Sequence, residues 1–175
     1  MNLQFYLEKL EHSKELKKFK GENEDIYLCS AFFVIDRENL KNPGNKSNID
    51  FYSPSKNKMF SFQLDDGIKL VPAETIESDF NQKKPEMLVA NSELGFEEIE
   101  EIISKEMVKR DIKNKIHKIM MVLQNKDGKD FWVCTVFISG FGLLKVIIND
   151  DNKKITFFDK KSFFDMLSIR SKKKK

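Results

Sequence analysis

The sequence reads as an α+β protein, a long helix packed on an antiparallel meander sheet. Helical and strand-like periodicities come in separate blocks rather than in strict βαβ alternation. Four strand-length runs in the second half, at 118–124, 131–139, 143–148 and 155–158, are divided by compact turn signals: Asn125-Lys126-Asp127-Gly128, Gly140-Phe141-Gly142 and Asn149-Asp150-Asp151-Asn152. One amphipathic segment of helical period, residues 94–116, runs into them. Of the 175 residues 40% are apolar and 34% charged, and Phe alone accounts for 16, so the chain has enough apolar surface to form a core.

In chain order, residues 3–19 predict an amphipathic helix, with Leu3, Tyr6, Leu7, Leu10, Leu16 and Phe19 at spacings near 3.6 and Gly21 as its stop. Residues 26–35 are apolar on both faces and rich in β-branched and aromatic side chains, which predicts a central, buried strand. A loop over 36–48 holds Pro43-Gly44-Asn45, and shorter strands follow at 49–52, 59–64 and 68–71. The polar stretch 77–92, with Pro85, reads as a linker. In helix 94–116 Phe96, Ile99, Ile103 and Met107 form a stripe continued by Val108, Ile112 and Ile116. Its glutamates lie at the start and its lysines and Arg110 at the end. That polarity suits the helix dipole and explains the charges as a solvated face. Phe163, Phe164, Met166, Leu167 and Ile169 predict a short C-terminal helix that Ser162 caps.

The two halves repeat the same order of signals. Ala31-Phe32-Phe33-Val34-Ile35-Asp36 corresponds to Ile119-Met120-Met121-Val122-Leu123-Gln124 at an offset of 88, as from residue 31 to residue 119. The domain reading is therefore an N-terminal α+β unit over 1–76, the linker 77–92, a C-terminal α+β unit over 93–169 and a polybasic tail over 170–175. The two units are expected as tandem copies sharing one sheet. Helix 96–116, then Asp130-Phe131-Trp132-Val133-Cys134-Thr135-Val136, Leu144-Lys145-Val146-Ile147-Ile148 and residues 149–155, resembles a PepSY-type or cystatin-like module. The family's strand ends in Asp before a Thr-Gly turn, whereas here Asn149 and Asn152-Lys153 stand at those positions. The resemblance implies a regulatory or binding module rather than an enzyme.

The formal charge of +3 is uneven: Arg170, Lys172, Lys173, Lys174 and Lys175 carry five positive charges, which leaves residues 1–169 slightly acidic. A globule whose other arginines are Arg37 and Arg110 is poorly suited to bidentate base or phosphate reading. Glu8 interrupts the N-terminus before an apolar leader builds, and no apolar run approaches the ~20 residues of a membrane span. The expectation is a cytoplasmic protein with no transmembrane segment and with Cys29 and Cys134 as buried thiols.

Chemistry is sparse. A thiolate site needs Cys29 or Cys134 beside His12 or His117, yet His12 sits in a charged helical stretch and His117 at a helix-to-strand passage. The Cys and His spacings match no metal motif, and the isolated glycines form no phosphate loop, so no cofactor, metal or catalytic residue is assigned. Asp65-Asp66 and Asp150-Asp151 read as turn formers. In Phe32-Phe33 and Phe157-Phe158 neighbouring rings must point to opposite faces of a strand: if both sheet faces are covered the rings are core, the reading preferred for Phe32-Phe33 because its whole strand is apolar, and if one face is open they mark a partner surface. Phe163 and Phe164 ahead of the polybasic end either pack onto the chain's own sheet, with the lysines as a solubilising tail, or form the other candidate contact. The leading reading is a non-catalytic interaction or regulatory module whose partner is another protein. The alternative is a peripheral binder of nucleic acid, such as RNA, or of an anionic membrane surface, acting through Phe163, Phe164, Arg170 and the four terminal lysines.

Overall fold

The protein is seen in a computed structural model that describes residues 1–39, 41, 43–71 and 84–162. Its elements are α1 (Leu3–Glu11), α2 (Lys14–Glu22), β1 (Tyr27–Asp36), β2 (Lys46–Ser53), β3 (Lys58–Gln63), β4 (Lys69–Val71), α3 (Phe96–Lys109), β5 (Ile116–Lys126), β6 (Lys129–Ile138), β7 (Gly142–Asn149) and β8 (Ile155–Ser162). The eight strands form one sheet in the order β4-β3-β2-β1-β5-β6-β7-β8, with each neighbouring pair antiparallel. The architecture is α+β. Among the described residues no helix is long and apolar enough to cross a membrane.

Two helices differ from the sequence reading. Residues 3–19 do not form one helix, because Ser13 takes an extended conformation and its Oγ accepts the Leu16 N–H at 3.1 Å, capping a new helix. The helix predicted over 94–116 stops at Lys109. Asp111 then turns left-handed at φ 55°, and the Ile112 N–H bonds back to the Met107 carbonyl at 2.9 Å. Ile112 and Ile116 still pack against the core, but from the connection and from β5. β8 extends past 158 to Ser162, so Ser162 ends a strand. The predicted helix 163–169 and the tail 170–175 lie outside the described residues.

All three helices cover one face of the sheet. Leu3, Leu10, Leu16, Phe19, Phe96, Ile99, Ile103 and Met107 are buried in a single apolar cluster with inward residues of β1, β2, β3, β5, β6 and β7. Its centre is aromatic: Phe33 of β1 lies with its ring centroid 4.6 Å from Phe96, 5.0 Å from Tyr6 and 6.1 Å from Trp132. Residues 84–95 run as a strap without regular structure. Leu88 is buried and its N–H bonds the Leu28 carbonyl, while the Val89 and Ala90 N–H groups bond the carboxyl of Asp130 at 3.2 and 2.9 Å. Ser92 Oγ and Trp132 Nε1 both donate to Asp150 Oδ1. Asp150, read from the sequence as a turn former, is thus a buried anchor for the strap.

Candidate interaction surface

Alternation along each strand sends successive side chains to opposite faces, and the register lines them up in rows across the sheet. Phe33, Met121, Cys134, Val146 and Phe158 are direct partners in turn and form the row beneath the helices. The adjacent row, Phe32, Val122, Val133, Ile147 and Phe157, is likewise in direct register but on the other face. Both aromatic pairs therefore split in the same sense, one ring of each in the core and the other at an end of the outer row.

This outer face lacks helical cover among the described elements. The row ends at Phe157, 44% exposed; beside it lie Val34, which is buried, Met120, Leu143 and Phe137, 36% exposed, with Thr135, Lys145 and Asp159 in register beyond Met120. The opposite half, over β2 and β3, is polar: Asn48 Nδ2 donates to Ser61 Oγ at 3.1 Å, and Asp50 lies in register with Ser30 and Ser61. Burial holds the Asp50 carboxyl above the usual aspartate range, while its serine hydrogen bonds act in the other direction. The face is apolar on one side and hydrogen-bonded on the other.

The other candidate residues are not gathered. Cys29 and Cys134 are buried, and burial pushes both thiols up to about 12, with Asp50 adding to the effect at Cys29. His12 Nδ1 lies 2.8 Å from the Glu8 carbonyl of its own helix, and His117 Nδ1 lies 3.6 Å from Glu38 Oε1. A cavity of about 400 Å³ between α1 and the ends of β1 and β2 has several charged lining groups already engaged: Lys9 Nζ with the Leu64 carbonyl, Arg37 with Glu100, and Asp65 with Ser47. Phe163, Phe164, Arg170, Lys172, Lys173, Lys174 and Lys175 lie outside the described residues.

No protein-family model and no curated protein matches the chain. Its fold is similar to the crystal structure of a putative lipoprotein from Clostridium difficile 630, with a TM-score of 0.54 over 84% of this chain and 90% of that one, at 12% identity. That similarity supports the α+β architecture. It also overturns the cytoplasmic placement expected from the sequence, since a solved protein of similar fold is a putative lipoprotein. The placement rests on a missing apolar leader and a missing membrane-length run, and absences do not locate a chain.

Proposed function

We propose that the protein is a non-catalytic interaction or regulatory module that docks another protein on the apolar half of its outer sheet face. The observation that carries this reading is the in-register row from Phe32 to Phe157, five apolar side chains on the face away from the helices. The same reading takes the C-terminal half as a PepSY-like or cystatin-like unit and the N-terminal half as its diverged copy, the two joined through their first strands. The offset of 88 makes Phe33 equivalent to Met121, and these two residues are direct partners in the central β1–β5 pair. Such a relation puts the pseudo-symmetry point between β1 and β5, at the Phe32–Val122 end of the proposed row.

The test is photo-crosslinking from benzoylphenylalanine at Phe137 on the outer face and at Val108, 77% exposed on α3, in extract of the source cells. A discrete adduct from position 137 that is absent from position 108 is the expected result. Equal labelling from both positions contradicts the reading.

A further inference from the structure

The geometry points to a second docking site: the groove between α3 and the edge strand β8 takes an extended acidic segment of a partner protein, added to the sheet as a ninth strand. This goes beyond the outer-face reading and uses a different surface.

An edge strand presents main-chain N–H and C=O groups that a further strand can pair. Among the described residues no strand borders β8 on the side away from β7. Beside it, Ile102, Lys105, Glu106 and Lys109 follow one another at helical spacing along α3 and face Ile155 and Phe158 across a groove of about 490 Å³. An edge strand on one wall and a helix on the other is the arrangement that strand-adding peptide sites use. The floor is apolar and half-buried at Ile102, Ile155 and Phe158. The Arg110 guanidinium sits 4.4 Å above the Phe158 ring and fixes the end of α3 against β8.

Charge selects the occupant. Lys105, Lys109, Arg110, Lys153 and Lys154 line the groove against a single carboxylate, Glu106, which lies within 3.4 Å of Lys109 and 2.8 Å of Arg110. Glu101 and Glu98 outside it balance Lys105 and Lys153. Lys154 has no carboxylate partner among the described residues, and Lys109 is 73% exposed. The surplus is positive. It favours acidic side chains and repels both the basic tail of this chain and a second copy of the same groove.

The test uses the full chain and a fluorescein-labelled decapeptide of alternating Glu and Val, with an alternating Lys and Val peptide as control. Binding of the acidic peptide alone, weakening as salt rises, is expected. The same peptide N-methylated at alternate residues, in either register, loses binding in at least one register because the ladder cannot form. Lys109→Glu with Lys154→Glu, two exposed positions that leave the fold intact, weakens binding by about tenfold or more. Removal of residues 170–175 leaves it unchanged. The proposal is overturned if the double charge reversal has no effect, if the tail deletion abolishes binding, or if both N-methylated peptides bind as well as the parent. A labelled oligouridine that displaces the acidic peptide from the groove assigns it to RNA instead and equally overturns the proposal. Crosslinking from position 137 is read separately, so either surface fails without the other.

Discussion

Asp130 ties the strap to the second half of the sheet, and its removal has a size that can be worked from three contacts. The residue is 2% exposed, and its carboxyl accepts from Asn125 Nδ2 at 2.7 Å, the Ala90 N–H at 2.9 Å and the Val89 N–H at 3.2 Å. Asp130→Ala leaves three donors without their acceptor, and a buried donor left unpaired costs about 1–3 kcal/mol. Asn125 is half-buried near the end of β5, beside the turn at Asp127-Gly128, and its amide can rotate toward water. Val89 is 53% exposed, so its N–H recovers part of the loss, whereas half-buried Ala90 recovers less. The expected destabilisation is about 2–4 kcal/mol, a large share of a typical domain's stability. Urea unfolding measures it, and amide hydrogen exchange at Ala90 shows whether the strap has come loose. A loss below about 1 kcal/mol with Ala90 still protected refutes the assignment of Asp130 as the anchor.

Phe33→Ala removes the β1 ring that meets Tyr6 of α1, Phe96 of α3 and Trp132 of β6 and is expected to cost about 3–5 kcal/mol by thermal or urea unfolding; a cost under about 1.5 kcal/mol contradicts the aromatic centre. Both thiols, buried and pushed up to about 12, are expected to react with a disulfide reagent at pH 8 only once denaturant is added; rapid labelling of the native chain contradicts that burial. Burial raises the Asp150 carboxyl above the usual aspartate range in the folded chain, so the native state holds its proton more tightly than the unfolded state does. This group's contribution is therefore favourable at low pH and is lost as pH rises through the folded value. Asp150→Asn keeps the Oδ1 acceptor for Ser92 and Trp132, so its stability relative to the parent chain rises across that window, and a flat difference contradicts the sign.

Strand positions were legible where one residue type dominated. The run at 26–35 is apolar on both faces, and its strand does lie at the centre of the sheet, with one face in the core and Phe32 and Val34 on the other. The turns were legible because Gly128 and Gly140 adopt positive φ at the expected places. Helix ends were not. Ile112 and Ile116 continue the apolar stripe of α3, and periodicity cannot show that Asp111 takes the left-handed conformation and sends them inward by another route. The strap was opaque for a different reason. Its anchors, Asp130 and Asp150, lie far away in sequence, and a turn-like Asp-Asp pair gives no sign that one member is buried under Trp132. The split of the aromatic pairs followed from alternation alone, but their alignment into one row needed the register. The groove beside β8 left no signal, because it joins Ile102 to Phe158 across the sheet edge.

Val133 sits mid-row between Val122 and Ile147, so a lysine there places a charge at the middle of the proposed docking face while its stem can still lie along the sheet. The decisive measurement is the affinity of Val133→Lys for the protein crosslinked from position 137, taken beside its urea midpoint. The account predicts binding weakened by about tenfold or more with the fold retained. Full affinity in a folded Val133→Lys chain contradicts it.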